Sequence, residues 1–338
     1  MRQVHAPAFW WREPGIASAL LSPFAAIYGA LAKQRFDRPG VKVGIPILCV
    51  GNPTVGGAGK TPTALSVARF LIAAGERPAF LSRGYGGRMG GPVRVDPSSH
   101  TAADVGDEPL LLAQAAPTIV ARDRAAGADF ARQAGASVIV MDDGFQNPSL
   151  TKDLSILVID ARRGAGNGRI FPAGPLRLDL EHQLDRAGIL LVIGTGDGAG
   201  AIADQARTRN IPIFRGQLEP DKASIAAIRE QEALAFAGIG DPEKFFQTLE
   251  RCGIKVRVRR SFPDHHRYTA ADAAALIGES NRLGLVPLTT EKDLVRLASN
   301  HEASIAALKA RTRALPVTLT FDQEAEFKQL ILDALGRG

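Results

Sequence analysis

The sequence predicts an α/β fold, in which a parallel sheet is covered by helices on both faces and is followed by a smaller second α/β domain. Short apolar runs rich in Val, Ile and Leu alternate along the chain with segments of helical periodicity. This alternation is typical of parallel strands that lie buried between two layers of helices. With 338 residues, of which 45% are apolar, the chain is long enough for two domains with sizeable cores.

The first predicted domain covers residues 37–222 and contains the parallel sheet. Its predicted strands are residues 45–50, 79–82, 118–121, 137–141, 154–159 and 189–193. Its predicted helices are residues 62–74, 107–115 and 124–134. Gly75 and Gly135 directly follow two of these helices, in the position where glycine commonly ends a helix.

A second, smaller domain is predicted over residues 223–338. The periodic pattern weakens around residues 216–224, where residues 219–221 form a predicted turn. The predicted elements beyond it are strands at 233–237, 255–260, 286–288 and 317–321, a helix at 242–251, and a helix that Thr269 caps and that ends at Leu283. Strands that alternate with helices again indicate an α/β unit.

Residues 1–36 are predicted to form an N-terminal membrane-surface helix. Residues 15–32 carry no charge, and Leu20, Phe24, Ile27 and Leu31 recur at helical spacing. Two tryptophans and an arginine precede this stripe and two basic residues follow it, which favours a helix lying in the interface plane of a membrane. A helix packed on the protein's own core and a spanning or signal segment are the alternatives. Pro23 is expected to break the helix in the middle.

Charge and cysteine content limit the possible partners. The formal net charge of +6 is compatible with nucleic acid, an anionic membrane surface or a phosphorylated substrate. The excess is small, aromatic residues make up only 6%, and no nucleic-acid motif is present, so no nucleic-acid partner is predicted. Cys49 and Cys252 lie far apart and outside any CxxC pair, which indicates a reducing compartment rather than a zinc site or a disulfide.

Residues 51–61 carry the pattern of a phosphate-binding loop. The sequence GNPTVGGAGKT follows a predicted strand and opens a predicted helix, which is the context that this loop requires. Glycines let backbone N–H groups approach phosphate oxygens, and the helix N-terminus adds a favourable dipole. We therefore predict a P-loop NTPase-like fold that uses ATP and Mg²⁺, with Lys60 on the β- and γ-phosphates and Thr61 on the metal.

This loop also predicts the nucleotide-binding residues. They are Thr54, Val55, Gly56, Gly57, Ala58, Gly59, Lys60 and Thr61. The strict pattern has glycine at the position of Thr54, and a glycine-rich turn with an incidental lysine is the alternative interpretation.

Two adjacent carboxylates follow the predicted strand at 137–141. Asp142 and Asp143 stand at its carboxyl end, where a P-loop site holds Mg²⁺ directly or through water. Adjacent carboxylates repel each other, so a cation or a base is expected between them. The alternative is a plain turn formed by Asp143 and the glycine that follows it.

Two further segments carry groups suited to proton transfer. Asp107 and Glu108 open a predicted helix, and the sequence DHH at 264–266 precedes another. A histidine beside a carboxylate can accept or relay a proton. The alternatives are acids that favour a first helical turn and a solvated loop.

Together these segments resemble the tetraacyldisaccharide 4′-kinase family of lipid A biosynthesis. The resemblance covers most of the chain. It comprises the N-terminal apolar helix, GNPTVGGAGKTP at 51–62, LSRGYGG at 81–87, GDEP at 106–109, MDDGFQ at 141–146, FPAGPLR at 171–177, FPDHH at 262–266 and TTEKD at 289–293. Thr54 is normal in this family, whereas Ala58 stands where threonine is commoner.

The resemblance implies a specific reaction and location. The γ-phosphoryl group of ATP is moved onto the 4′-hydroxyl of a tetraacylated glucosamine disaccharide 1-phosphate. The implied partners are this acylated disaccharide phosphate lipid and an anionic membrane surface, at the cytoplasmic face of the bacterial inner membrane with monotopic attachment. The implied architecture is two α/β/α domains that are joined by a two-stranded linker and close over the active site.

The resemblance also implies roles for individual residues. Asp107 is expected to be the catalytic base or its anchor, paired with His265 rather than His266. Glu108 and Asp142 are expected to form the Mg²⁺ shell with Thr61. Lys60 and the 56–61 backbone are expected to hold the phosphates, with Arg177 as a further phosphate-binding residue. Arg122 or Arg124 is expected in a similar role. Asp143 and Gln146 are expected to order the site, and Asp143 is also expected near the metal.

Two other functions are compatible with parts of the pattern. A regulatory or transport P-loop NTPase shares the phosphate loop and hydrolyses nucleotide without a lipid acceptor. A membrane-surface binding protein with a degenerate loop binds liposomes without nucleotide. The oligomeric state is left open by the sequence.

Overall fold

The computed structural model describes residues 6–300 and 302–336. A short 3₁₀ helix at Ala8–Trp11 precedes the first α-helix. The α-helices are α1 (Ile16–Phe36), α2 (Lys60–Ala73), α3 (Ala102–Val105), α4 (Asp107–Leu112), α5 (Arg124–Gln133), α6 (Leu180–Leu184), α7 (Gly200–Thr208), α8 (Lys222–Ile228), α9 (Pro242–Arg251), α10 (Ala270–Leu283), α11 (Glu291–Ala298), α12 (Ala303–Arg311) and α13 (Glu324–Ala334).

The strands fall into two sheets. They are β1 (Ile47–Gly51), β2 (Pro78–Ser82), β3 (Val93–Arg94), β4 (Thr118–Val120), β5 (Val138–Asp142), β6 (Leu154–Asp160), β7 (Ile189–Ile193), β8 (Ile213–Pro220), β9 (Glu232–Ala237), β10 (Lys255–Ser261), β11 (Val286–Thr289), β12 (Arg313–Ala314) and β13 (Val317–Phe321). The larger sheet has the order β13-β8-β7-β6-β1-β5-β2-β4-β3, and the smaller has β10-β9-β11-β12.

The larger sheet is parallel except at its two edges. β8, β7, β6, β1, β5, β2 and β4 run parallel, while β13 and β3 pair antiparallel at the edges. The apolar side chains of the central strands alternate between two buried clusters, one on each face, as expected for strands covered by helices on both sides. The predicted parallel sheet with helices on both faces is confirmed.

The position of β1 determines where a site forms. β1 lies between β6 and β5, and its residue Val50 is in register with Asp142 of β5. The loop that leaves β1 and the acid that ends β5 therefore emerge at the same edge of the sheet. Ligands of open parallel sheets bind at this carboxyl edge.

The smaller sheet forms a second α/β unit. Its strand pairs are all parallel, and one apolar cluster lies on each of its faces. The prediction of a smaller second α/β domain is therefore confirmed. The chain enters this unit after β8 and leaves it before β13.

The placement of residues 317–321 in the second domain is wrong. β13 pairs antiparallel with β8 in the larger sheet, and α13 adds Phe327 and Ile331 to the core of the first domain. The local pattern identifies a strand but not the sheet edge that it joins. The predicted turn at 219–221 is also wrong, because residues 219 and 220 end β8 and Asp221 is the N-cap of α8. Both crossings between the units thus run along one antiparallel strand pair, which corresponds to the two-stranded linker that the resemblance implies.

α1 continues through Pro23, so the expected break at this residue is wrong. Proline removes the N–H that would bond to the carbonyl of Ala19. Both residues lie on the exposed side of the helix, where the carbonyl keeps access to solvent and the helix tolerates the loss.

α1 has one packed face and one exposed face. Ser18 Oγ donates a hydrogen bond to the carbonyl oxygen of Ala173 (2.8 Å), and Gly29 lies directly against Ile170. The opposite face exposes 62–82% of the surface of its large apolar residues, which are Ile16, Leu20, Phe24, Ile27 and Leu31. Within residues 6–300 and 302–336, α1 is the one helix long and apolar enough to cross a membrane by length and composition.

Candidate active site

The phosphate loop joins the carboxyl end of β1 to the start of α2. Gly59, at the N-cap of α2, has a φ of 95°, which is a left-handed conformation that glycine adopts without strain. A glycine N-cap has no side chain to bond the first N–H groups of α2, so these donors remain available to an anion. Lys60 is only 9% exposed and folds back over the loop, with Nζ 3.3 Å from the carbonyl oxygen of Gly56.

A second segment braces this loop from outside. The N–H of Val55 donates to the carbonyl oxygen of Pro175 (2.7 Å), and the N–H of Arg177 donates to that of Pro53 (2.8 Å). Arg177 Nε also donates to the carbonyl oxygen of Thr54 (3.1 Å). The structure thus brings FPAGPLR and the phosphate loop together, as two strands of one short antiparallel bridge.

Asp142 lies beside the start of α2 and has unused acceptor capacity. Its Oδ2 accepts a hydrogen bond from Thr61 Oγ1 (3.4 Å), whereas its buried Oδ1 has no hydrogen-bond partner. Burial, with the nearby charges of Glu108 and Asp143, raises the pKa of Asp142 to about 7. A positive charge at this place would relieve that cost.

Asp143 has two cationic neighbours. It lies 3.1 Å from Arg177 Nη1 and 3.8 Å from Lys60 Nζ. Burial alone would raise the pKa of Asp143, but the charges of Lys60 and Arg177 outweigh it and lower the pKa. The Asp143 carboxylate already pairs with Arg177. The predicted role of Asp143 near the metal therefore stays a prediction.

Asp107, the first residue of α4 in the first domain, contacts two residues of the second domain. His265 Nδ1 lies 3.1 and 3.2 Å from its two carboxylate oxygens, and Arg296 Nε donates to Oδ2 at 2.7 Å. Burial would raise the pKa of Asp107, but the His265 hydrogen bond and the Arg296 charge hold it well below its usual range. Burial would lower the pKa of His265, yet the bond to Asp107 raises it above the ordinary value.

The structure distinguishes the two neighbouring histidines. The N–H of His265 donates to the carbonyl oxygen of Gly238 (3.1 Å), its φ is 56°, and its ring contacts Asp107 of the first domain. His266 instead lies 3.0 Å from Asp272 and stacks on Phe262. The contact to Asp107 is made by His265, which is the histidine that the sequence favoured.

Glu108 pairs with a lysine that the sequence analysis missed. Lys292 Nζ donates to Glu108 Oε1 at 2.6 Å. The charge of Lys292 lowers the pKa of Glu108, and burial only partly opposes this. Arg296, one turn later on α11, was missed as well. The available signal was their spacing of four residues in a helix that begins inside TTEKD, a segment to which no role had been given.

The remaining predicted residues occupy different positions. Gln146 donates to the carbonyl oxygen of Asn52 (2.8 Å) and accepts from Arg177 (3.3 Å), so it ties the phosphate loop to Arg177. Arg122 donates to the carbonyl oxygen of Arg88 (3.4 Å), and Arg124 is buried and donates to that of Ala121. A phosphate contact by Arg122 or Arg124 stays a prediction.

The donors at this edge fit a nucleotide-bound Mg²⁺ better than a metal held by protein alone. Among the described residues, no three His, Cys, Asp or Glu side chains gather around one point. Mg²⁺ in such sites takes one or two carboxylates together with phosphate oxygens and water. The unpartnered Oδ1 of Asp142 and the hydroxyl of Thr61 satisfy this smaller requirement.

Comparisons with known proteins agree on one family. Residues 17–336 match the family model described as tetraacyldisaccharide-1-P 4′-kinase. The tetraacyldisaccharide 4′-kinase of Nitrobacter winogradskyi is 51% identical over 331 residues, which cover 98% of each chain. That of a Methylobacterium species is 54% identical over 314 residues, which cover 93% of this chain and 94% of the relative.

A solved structure shows the same fold. The crystal structure of LpxK from Aquifex aeolicus, described as an "apo" form in complex with ATP, aligns with a TM-score of 0.73 and 27% sequence identity. The alignment covers 95% of this chain and 100% of that chain.

Proposed function

Because the chain belongs to the tetraacyldisaccharide 4′-kinase family, we propose that its P-loop binds ATP with Mg²⁺ and that Asp107 activates the 4′-hydroxyl of a tetraacyldisaccharide 1-phosphate. The protein is a kinase of lipid A biosynthesis, a phosphotransferase with an alcohol group as acceptor. The observation that carries the proposed site is the Asp107–His265 pair, formed between the two domains beside Glu108 and the phosphate loop.

The phosphate loop supplies the nucleotide contacts. The backbone N–H groups of residues 56–59 and the start of α2 line one side of the site, and Lys60 is the cation that reaches the terminal phosphates. Arg177 is held by Thr54 and Gln146 at the rim of the same loop. From there its guanidinium can exchange the Asp143 carboxylate for a phosphate oxygen.

Thr61, Asp142 and Glu108 are the residues that would hold the metal. The fit rests on the Asp142 oxygen that lacks a hydrogen-bond partner and on the adjacent Thr61 hydroxyl. The chemistry that Mg²⁺ supplies when bound is neutralisation of the charge on the β- and γ-phosphates.

Asp107 is placed to orient the acceptor. It is ionised at neutral pH and accepts hydrogen bonds from His265 and Arg296, so an incoming hydroxyl meets a carboxylate that is fixed in position. The hydroxyl oxygen forms a bond to the γ-phosphorus as the bond to the ADP oxygen breaks, and the hydroxyl proton passes to Asp107. Positioning and charge stabilisation dominate such transfers, so a weakly basic carboxylate is sufficient.

The acceptor lipid is approached from the side of α1. The exposed apolar stripe Ile16 to Leu31 suits insertion into the interface of an anionic membrane. A cavity of about 580 Å³ lies between the residues that precede α1 and residues 162–167 of the first domain, and Arg12, Arg162 and Arg163 are among the residues that line it. Arg162 and Arg163 pair there with Asp241, so Arg12 is the lining arginine that we assign to the phosphate of the sugar. Since ATP is supplied by the cytoplasm, we assign the enzyme to the cytoplasmic face of the inner membrane, attached from one side.

The decisive experiment is a phosphorylation assay with purified protein, ATP, Mg²⁺ and the tetraacyldisaccharide 1-phosphate in mixed micelles. We expect a lipid product with one additional phosphate, formed at least about 10²-fold faster than by Lys60→Ala. ATP hydrolysis without a phosphorylated lipid would instead favour a P-loop NTPase of another class. Liposome binding without nucleotide affinity would favour a membrane-surface binding protein.

A further inference from the structure

We propose that Lys292 of the second domain is a positioning residue for the phosphoryl transfer, because its ammonium group holds the Glu108 carboxylate in place at the catalytic edge of the first domain. The inference deepens the proposed function and rests on it. It concerns a side chain to which the phosphate-loop chemistry assigns no role.

The first domain alone leaves an excess of negative charge at the site. It contributes the carboxylates of Asp107 and Asp142, which are buried, and those of Glu108 and Asp143, which are 22% and 34% exposed. Its own neighbouring cations, Lys60 and Arg177, are both directed at Asp143. Asp107 and Glu108 therefore depend on cations from elsewhere, since an unpaired buried carboxylate is strongly disfavoured.

The second domain supplies those cations from one helix. Lys292 and Arg296 are four residues apart on α11 and so lie on the same face, one turn apart. They meet two consecutive acids at the start of α4: Arg296 contacts Asp107, and Lys292 contacts Glu108.

The second domain also fixes α11 in this orientation. Arg296 Nη1 donates to the carbonyl oxygen of Gly238 (2.5 Å) and to Asp293 Oδ1 (2.7 Å). Asp293 is completely buried and also accepts a hydrogen bond from Tyr268 (3.0 Å). These hydrogen bonds hold α11 in the orientation in which its two cations contact Asp107 and Glu108.

Lys292 acts on the reaction through Glu108. Its Nζ makes a 2.6 Å contact with Oε1 of Glu108, and its charge also acts on Asp142 across the site. The ammonium therefore keeps Glu108 turned toward the phosphate loop and offsets part of the acidic charge before a nucleotide arrives. Without it, nucleotide phosphates would enter a more negative site, and the metal would have to supply all of the compensation.

The test compares Lys292→Met, Lys292→Gln and Lys292→Arg in the full-length protein with the lipid acceptor. The neutral variants should lose about 10²-fold in kcat, the usual cost of one preorganised electrostatic group, while the KM for ATP with Mg²⁺ changes by less than about threefold. Lys292→Arg keeps the charge and should retain kcat to within about tenfold of wild type.

A binding measurement gives a second readout that does not depend on turnover. Calorimetric titration with ATP, with and without Mg²⁺, should show that Lys292→Met raises the ratio of the metal-free to the metal-containing Kd by at least about tenfold. This measurement tests the role of Lys292 separately from the proposed kinase function. A wild-type protein that phosphorylates no lipid refutes the proposed function, whereas an unchanged ratio in Lys292→Met refutes the role of Lys292.

Lys244 provides the matched control, because it also forms a lysine–carboxylate pair between the domains. Its Nζ lies 2.9 Å from Asp160, away from the Asp107–Glu108 pair. Lys244→Met should keep kcat to within about threefold of wild type. An equal loss in Lys244→Met and Lys292→Met, or wild-type kcat in Lys292→Met, overturns the proposal. If the neutral variants fail to fold, Lys292→Arg decides, since a tenfold or smaller loss supports the inference and a loss of about 10²-fold contradicts it.

Discussion

At the scale of single residues, the site contains two carboxylates, Asp107 and Asp142, whose pKa values are shifted in opposite directions. Asp107 is held ionised by His265 and Arg296, while Asp142 has its pKa raised to about 7 by burial and by nearby acids. Groups whose environments move their pKa values in opposite directions are typical of catalytic centres. The difference has a simple geometric cause: Asp107 contacts His265 and Arg296 directly, whereas the hydrogen bond that Asp142 accepts comes from the neutral Thr61 hydroxyl.

The role of Asp107 can be tested by Asp107→Asn, which keeps the shape and removes the charge. We expect kcat to fall by about 10²–10⁴-fold, the range for loss of a general base. The pKa of His265 should fall too, because the carboxylate raises it and the burial that remains lowers it. NMR titration of the histidine ring measures this shift.

Asp123→Asn is a suitable control for that experiment. Asp123 caps α5 by accepting hydrogen bonds from two backbone N–H groups, and asparagine serves equally well in this position. Its kcat should stay within about twofold of wild type. An Asp107→Asn enzyme with near-normal turnover would remove this carboxylate from the mechanism.

At the scale of elements, one segment connects the membrane-facing helix to the nucleotide loop. Residues 170–173 pack against α1 through Gly29 and Ser18, and residues 175–177 bond to the phosphate loop through Val55 and Pro53. The aromatic ring of Phe171 also meets Tyr28 of α1 at 5.3 Å. α1 is therefore docked by its small-residue face to the element that braces the P-loop, which leaves its large apolar side chains exposed.

The exposed stripe predicts a specific loss of membrane association. Replacing Leu20, Phe24 and Ile27 together by serine should weaken partition to anionic liposomes by at least about 10²-fold, because each buried CH₂ contributes about 0.8 kcal/mol. The fold should be retained, since these residues are 63–71% exposed. Co-sedimentation with liposomes measures the effect.

A control on the same helix separates this effect from helix propensity. Ala19, Ala26 and Ala30 are also exposed, and their replacement by serine lowers helix propensity at least as much but removes little apolar surface. This control should sediment like the wild-type protein. Unchanged sedimentation of the Leu20, Phe24 and Ile27 variant would count against the interfacial helix.

At the scale of the whole molecule, the chain leaves the first domain and returns to it. β13 completes the edge of the larger sheet beside β8, and α13 places Phe327 against Phe70 and Phe214. The second domain is thus an insertion held at both ends by one strand pair. This attachment places the second domain against the edge that carries Asp107 and Glu108.

This topology predicts that Phe327 stabilises the first domain although it lies near the C-terminus. Its ring is fully buried, and Phe327→Ala should lower the free energy of unfolding by about 3–5 kcal/mol. Urea denaturation followed by tryptophan fluorescence reports on the first domain, because Trp10 packs there against Phe171. The half-exposed Phe130 is the control, and Phe130→Ala should cost about 1 kcal/mol or less. Equal, small effects of the two changes would contradict the assignment of α13 to the first core.

Local patterns in the sequence were sufficient for the parallel sheet, the P-loop and the family. These features are written in contiguous residues: apolar runs that form strands, and a glycine-rich loop between a strand and a helix. The pairing of Asp107 with His265 followed from the family resemblance, and the structure has the two side chains in contact.

Apart from the Asp107–His265 pair, the tertiary structure alone decided which distant groups meet. Lys292 and Glu108 are 184 positions apart, and Arg296 and Asp107 are 189 apart, so no local periodicity relates them. The pairing of β13 with β8 and the continuity of α1 at Pro23 were also decided by the tertiary structure. Each depends on the packing or the solvent around the element and not on its own residues alone. Secondary structure reflects the chemistry of neighbouring residues, whereas the charge balance of this site arises only where the two α/β units meet.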